Sequence, residues 1–493
     1  MTTRGRGKPR SHAPAGNGTQ PRQRRVAVPV KASMIRLRRA GREVQERLPK
    51  LPIGGEAARR SRMLTMEGLV PEAARYATYN FRRGVLNGVM FTLVDALIAP
   101  TLVLAWFISR LGAPNVLVGL LPAILSGGWF LPQMLVASRV QGLSHMMPWY
   151  ARTGALRTVA VVLLCAFTVL LADQPVLLLI SFFFFYSVYC FLGGVTGIPW
   201  LEVVGKVVAP RRRGSFFGQR NFWGGLLALL AAGPIGAILS EDLWGLTFPY
   251  NFALLFGITA VVVGLGVYFW SSVREPAATQ SAPQVSVSAL FKQGVRAYKT
   301  NVDYRNFMVA RILISLASIA DPFYVVYAKT NLGAPAATVG LYLGALSIAS
   351  LLSNFLWSPL ADRASNRLLM TLTVASVALV PFTAFIISRF VGAIDDDVLY
   401  PAFTLVFVLS GLALGAARIV NNNMLLTIAP PTERATYVGF LNTILGVVIF
   451  VPVLGGLLAD LVGFEILFLL SLVLSALGLL ASQRMSNKAP EHS

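Results

Sequence analysis

The sequence predicts an all-α polytopic membrane protein built from two pseudo-symmetric six-helix bundles. Three observations predict it. Of 493 residues, 55% are hydrophobic and only 13% charged, with a mean hydropathy of +0.65. That is too little charge to cover a soluble chain of this size. Twelve apolar segments follow Gly84, each close to the roughly 20 residues that cross about 30 Å of hydrocarbon. One ten-residue stretch also occurs twice, as LGAPNVLVGL (Leu111–Leu120) and LGAPAATVGL (Leu332–Leu341), 221 residues apart.

The elements follow in order. Residues 1–62 are rich in Arg, Pro and Gly and lack an apolar core, so they are read as a disordered cytoplasmic tail and not as a signal peptide. Residues 1–83 hold 20 of the 43 Lys and Arg and 5 acids, a net +15 ahead of the first long apolar run. Within the tail, VKASMIRLRRAGREVQERL has the pattern of a basic amphipathic helix that lies on anionic lipid. No aromatic residue precedes Tyr76 to stack on bases, which argues against nucleic acid as a partner. Residues 63–273 hold spans 1–6, centred near Asp95, Ile124, Leu163, Tyr186, Leu229 and Thr259. Residues 274–302 include REPAATQSAPQVSVS and read as a flexible cytoplasmic linker. Residues 303–485 hold spans 7–12, centred near Ala317, Ile348, Val377, Val408, Val448 and Leu470, and 486–493 form a short tail.

Charge fixes the expected orientation. Arg139, Arg152 and Arg157 fall between spans 2 and 3, and Lys206, Arg211, Arg212, Arg213 and Arg220 between spans 4 and 5. Further basic residues follow spans 6, 8, 10 and 12. The alternate loops carry Asp173, Glu241, Asp242, Asp395, Asp396, Asp397, Asp460 and Glu465 against only Arg110, Lys329 and Arg389. This asymmetry puts both termini in the cytoplasm and the chain in the cytoplasmic (inner) membrane. A one-span miscount would scramble the alternation.

The 221-residue offset recurs elsewhere. APRRRGSFFGQRN (Ala209–Asn221) faces APPTERATYVGFLN (Ala429–Asn442), with Gly218 matching Gly439 and Asn221 matching Asn442. The chain is therefore a parallel duplication of six spans, an arrangement that resembles the major facilitator superfamily of secondary transporters. SPLADRASNRLLM (Ser358–Met370) resembles that family's Gly-x-Leu-Ala-Asp-Arg-x-Gly-Arg-Arg loop at Leu360, Ala361, Asp362, Arg363 and Arg367. Ser358 and Ser365 replace glycines there, and Asn366 a basic residue. RRRGSFFG and TERATYVG are similar to the family's Arg-containing entries to spans 5 and 11.

The resemblance implies a cytoplasmic gate of Asp362, Arg363 and Arg367, with Arg139, Glu202 and Arg418 beside it. A carboxylate next to a helix N-terminus and an Arg is held in one conformation and released when the halves rotate. After span 2, where the family carries its strongest Asp-Arg loop, Gln141 stands at the position matching Asp362. The first-half latch is thus weakened or differently built. An alternative pairing of Glu202 with Arg139 or Arg152, and snorkelling of Arg418 and Arg311 to the interface, is the plainer reading of these residues.

Ionisable residues inside the bilayer cost roughly 2.5–3.5 kcal/mol each on insertion scales, so each is a functional candidate. Asp95 (FTLVDALIAP) and Asp321 (IADPFYVVY) lie in spans 1 and 7, each ahead of a proline, Pro100 and Pro322. The resemblance implies that these spans line a central cavity, so the two acids are candidates for binding a proton, a cation or a basic substrate group. The opposing reading locks each acid to a helix-packing partner. Arg311 is a candidate anchor for an anionic substrate. Asn87 and Asn354 are candidate cavity hydrogen-bonding residues or, equally, helix glue. AAGPIG (Ala231–Gly236) and VPVLGG (Val451–Gly456) bring small residues to helix contacts.

Two cysteines inside apolar runs, three histidines without ligand spacing and no Walker A pattern exclude disulfide, metal and nucleotide-driven classes, and no cofactor or catalytic residue is expected. The expected function is alternating-access transport of a small organic solute, with a proton as candidate coupling ion and a monomer as the working unit. The alternative is a non-transporting relative, an assembly or pigment-delivery factor in a membrane complex.

Overall fold

With no water in hydrocarbon to satisfy the backbone, the apolar segments can span only as helices. The computed structural model, which describes residues 69–140, 145–241, 245–277, 287–428 and 434–485, is almost entirely helical. The readings of 1–62 and 486–493 lie outside the described residues.

Span 1 is Ala77–Leu97 continued by Val103–Arg110, and spans 2–6 are Asn115–Val140, Met147–Leu170, Pro175–Val207, Arg213–Leu239 and Tyr250–Ser271. Span 7 is Val302–Ala317 continued by Phe323–Asn331, span 8 is Thr338–Arg363, and span 9 is Asn366–Ser388. Span 10 is Asp396–Ala402 with Thr404–Ile428, span 11 is Arg434–Val448 with Val451–Val462, and span 12 is Phe464–Ser482. Among the described residues, eleven of these are long and apolar enough to cross a membrane. Span 1 falls short of that test, since Arg82, Arg83 and Asp95 sit within the 21 residues of Ala77–Leu97.

The duplication reaches the helix boundaries. Arg213 and Arg434, which open spans 5 and 11, stand 221 residues apart, and the breaks in spans 1 and 7 coincide under the same shift. Packing repeats as well. Span 2 packs on 4, 3 on 4 and 6, and 1 on 6; correspondingly span 8 packs on 10, 9 on 10 and 12, and 7 on 12. The halves meet through span 2 against 11, span 5 against 8, and the outer segments of spans 1 and 7. All of these contacts lie within one compact unit, Arg62–Ser493.

The main hydrophobic core runs across both halves and includes Val103–Ile108 of span 1 and Phe323–Ala328 of span 7, toward the acid-rich face. A second core, with Tyr304, Met308, Met424, Tyr437 and Leu441, lies in the second half near the basic face.

Two expectations change. Arg157 and Arg220, placed in loops from the sequence, lie inside spans 3 and 5, because both helices begin in polar sequence ahead of their apolar runs. The linker is helical over Val287–Thr300, where Phe291 packs on Phe440 of span 11 at 5.3 Å and the Thr436 hydroxyl donates to Gln293 at 3.3 Å. Its amphipathic pattern, Phe291, Val295 and Tyr298 on one side, gives that helix an apolar face to bury.

Candidate functional site: a cavity between the halves

Spans 1 and 7 both break where proline removes a backbone donor and clashes with the preceding turn. Span 1 is irregular from Ile98 to Leu102, around Pro100; span 7 tightens into a 3-10 turn at Ser318–Ala320 and breaks at Asp321–Pro322. Asp95 lies three residues before the first break, and Asp321 lies in the second. Both aspartates have accessible surface despite their depth in the bundle.

Asp321 borders a cavity of about 380 Å³ formed by both halves, with Thr101, Ser126 and Phe130 on one side and Arg311, Ser315, Ser318 and Asn442 on the other. A second space of about 300 Å³ shares Thr101, Ser318 and Asp321 and extends to Phe407, Ser410 and Ala417 of span 10. The Asp321 amide donates to Ser318 O at 3.2 Å, and the Ser318 hydroxyl donates to Ile314 O at 3.4 Å. Asp95 has no hydrogen bond or ion pair among the described residues, and the charges acting on it are Arg157 of span 3 and Arg418 of span 10. Its electrostatic surroundings therefore come from both halves.

Arg157 is 9% exposed and lies between Phe91 and Tyr189, at 5.0 and 4.1 Å from the ring centroids. Arg311 is 8% exposed, and its Nε has no hydrogen-bond partner. Sequence reasoning missed Arg157; the signal was present, since Met147–Leu170 makes a span of ordinary length only if Arg157 is included.

The remaining candidates divide. Asn87 is buried away from the cavity. Its Nδ2 donates to Gly266 O at 2.8 Å and Tyr150 Oη at 3.3 Å, and its Oδ1 accepts from Arg220 Nη1 at 3.1 Å and Trp200 Nε1 at 3.3 Å. It joins helices of the first half, which fits the helix-glue alternative of its two readings. Asn354 is exposed and its Nδ2 donates to Ser350 O and Leu351 O of its own helix, both at 3.4 Å. Arg367 binds Gln483 Oε1 through Nε at 3.2 Å and Nη2 at 2.7 Å, tying span 9 to the end of span 12. Glu202 is exposed and makes no pair with Arg152. The side chains of Arg139, Asp362 and Arg363 lie outside the described residues.

On the acid-rich face the halves are sealed. Asn115 Nδ2 donates to Asp460 Oδ1 at 2.8 Å, and Lys329 Nζ to Ser109 Oγ at 2.9 Å. Glycines make the seams: Gly119 abuts the backbone of Pro452, Gly456 that of Asn115, and Gly340 that of Gly236 and Ala232. Only small residues let helix backbones approach so closely. On the basic face, Glu275 at the end of span 6 accepts from the Met146 and Met147 amides at 2.8–2.9 Å and pairs with Lys206 at 2.6 Å. This staple was invisible within a stretch that read as linker.

Residues 306–491 match the sequence model described as Major Facilitator Superfamily. No curated protein matches the chain in sequence. Among solved structures, the nucleoside transporter NupG is similar with a TM-score of 0.60 at 15% identity, covering 82% of this chain and 98% of that one. A D-xylose-proton symporter gives 0.58 at 14%, covering 83% and 97%. A bacterial homologue of the iron transporter ferroportin, in an inward-facing state, gives 0.61 at 14%, covering 83% and 98%. The family match thus covers the second half of this multi-pass membrane protein, and the solved structures share the fold of both halves.

Proposed function

We propose that the chain moves a small organic solute across the cytoplasmic membrane by rocker-switch alternating access, with Asp321 and Asp95 as sites for a coupling proton or cation. The observation that carries this reading is the cavity between the halves, with Asp321 on its wall at the break of span 7. Broken helices in transporters expose carbonyls and acids to a central site, where neighbouring protein compensates the unpaired backbone. The seal on the acid-rich face supports an inward-facing arrangement, with the basic face in the cytoplasm. The contacts that would part on rocking are the glycine seams, two polar links and the packing between the outer segments of spans 1 and 7.

The test uses the full chain in proteoliposomes, with single cysteines at Ser109 on the sealed side and Glu202 on the basic side. Alternating access predicts labelling of the two positions that is mutually exclusive and shifted by transported solutes. Uptake is screened over a broad solute panel with and without an imposed pH gradient. Asp321→Asn and Asp95→Asn are expected to keep the folded elution profile and lose gradient-driven uptake at least tenfold. A single unchanging label pattern with no uptake overturns the reading and favours the non-transporting alternative. Full gradient-driven uptake in both variants removes the aspartates from the coupling role.

A further inference from the structure

Four arginines lie within the spans near the cavity or the bundle interior, and three of them have partners. Arg220 donates to Gly84 O at 2.8 Å and to Asn87 Oδ1 at 3.1 Å, and lies over Trp200. Arg157 is held between two rings and acts on Asp95; Arg418 also acts on Asp95. Arg311 differs. Among the described residues it has no hydrogen bond, ion pair or ring partner, no acid acts on it, and its Nε is unpartnered. It is 92% buried by surface, yet it lines the cavity between the halves.

Snorkelling does not account for it. Arg311 is 8% exposed and lines the cavity between the halves, so its guanidinium is enclosed by protein and is not spread along a lipid-facing surface toward the interface. A buried cation without a partner is costly, and such costs are met in membrane proteins by water, by a paired acid or by a ligand. The acid nearest along the same wall, Asp321, is ten residues on, about 15 Å away along the helix.

We infer that the solute of this transporter is an organic anion, with its carboxylate or phosphate oxygens seated on the Arg311 guanidinium inside the cavity. This rests on the transport reading above. The planar fork of arginine matches a two-oxygen anion in a way that an ammonium does not. Ser315, one turn along span 7, and Asn442 of span 11 line the same space and add neutral hydrogen-bond donors. Asp321 at the far end repels an anion and so biases it toward Arg311. The cavity volume, about 380 Å³, falls in the range of small-ligand sites, about 300–1,000 Å³.

The site is tested without knowing the solute. Ser315→Cys is introduced into full-length protein carrying Cys165→Ala and Cys190→Ala, in detergent so that both faces are reachable. Its modification rates are compared for a sulfonate-bearing and a trimethylammonium-bearing methanethiosulfonate of similar size. The anionic reagent is expected to be favoured. The anion-to-cation rate ratio is expected to fall about tenfold in Arg311→Gln and to be kept within threefold in Arg311→Lys, which preserves the charge and guards against misfolding. A ratio that does not change in Arg311→Gln overturns the inference. Because this readout needs no transport, the two readings fail separately. Alternating labels without an anion preference sink the anion site alone, and an anion preference in a protein locked in one state sinks transport alone.

Discussion

Asn87 and Met308 stand 221 residues apart at corresponding turns of spans 1 and 7, as do Arg220 and Leu441 in spans 5 and 11. In the first half the pair is polar. Asn87 bridges spans 1, 3, 4, 5 and 6 through Tyr150, Trp200, Arg220 and Gly266, and Arg220 also takes Gly84 O. In the second half the same two places are apolar and buried, 2% and 3% exposed, within one small core. The second half's polar groups, Arg311, Asp321 and Asn442, instead face the cavity. At these two matched positions the duplicated backbone thus serves two ends: the first half uses Asn87 and Arg220 as internal crosslinks, and the second half places apolar side chains there and presents Arg311, Asp321 and Asn442 to the cavity. The difference teaches that a repeat in fold carries no repeat in chemistry.

Copying one half into the other tests this most severely. Asn87→Met alone strips Arg220, Trp200 and Tyr150 of a partner, and unsatisfied buried groups cost about 1–3 kcal/mol each, so a loss of about 2–4 kcal/mol is expected. Adding Arg220→Leu reproduces the apolar pair of the second half and removes the stranded cation. The double variant is expected to recover about half the loss, read as a double-mutant cycle in chemical unfolding. Strict additivity would show that the two residues are not a unit.

The seams come next. A Cβ on Gly340 meets Ala232 O and the Gly236 backbone across the halves, whereas at Gly233 on the same span 5 a Cβ meets nothing within 4 Å. Gly340→Leu is expected to cost about 1–3 kcal/mol of overpacking. On the alternating-access reading proposed above, the seam exists only while the acid-rich face is closed, so the cost falls on that state. Labelling of Ser109→Cys should rise roughly tenfold for each 1.4 kcal/mol, and Gly233→Ala should leave it unchanged. Equal effects of the two substitutions would remove the seam as the determinant of closure.

The basic-face ends differ as well. The first half ties spans 3, 4 and 6 with the charged Glu275, whose side chain is 2% exposed beside Lys206 at 16%. The second half ties spans 9 and 12 with the neutral Gln483. Glu275→Gln makes the first tie resemble the second and is expected to lower stability by about 1–2 kcal/mol, through a weaker bond to Lys206 and to the helix amides. Unfolding that ignores this change, while Lys206→Met destabilises, would assign the effect to packing of the lysine stem.

The fold was legible because its signals are one-dimensional. Span length, loop charge and the 221-residue echo are each read along the chain, and the bilayer forces them into helices. Asp95 and Asp321 were legible for the same reason, since charge in an apolar run needs no partner to be noticed. The staple and seal were not. Asn115 and Asp460 are 345 residues apart, and each looks like an ordinary loop residue until the bundles meet. Arg157 and Arg220 were hidden by a local bias, because basic residues ahead of an apolar run read as loop. Asn87 was noticed as polar, but only packing shows that its four bonds are already made inside the first half.

The seal itself should yield the smallest effect and the most direct information about the two halves. Asn115 and Asp460 form a hydrogen bond on the exposed rim between spans 2 and 11, and an exposed link of this kind contributes about 0.5–1 kcal/mol. Asp460→Ala removes it without touching either half's interior. Global stability should therefore move little, while on the proposed alternating-access reading the balance between closed and open acid-rich faces shifts by about twofold to fivefold. Ser109→Cys labelling reads that shift. Lys329→Ala, at the other link, should act in the same direction, read as reduced Glu202→Cys labelling on the basic side because Ser109 is the partner of Lys329, and the two should add because one joins span 2 to 11 and the other span 1 to 7. Loss of global stability without any gain in labelling would mean that these residues hold the fold together and do not gate it.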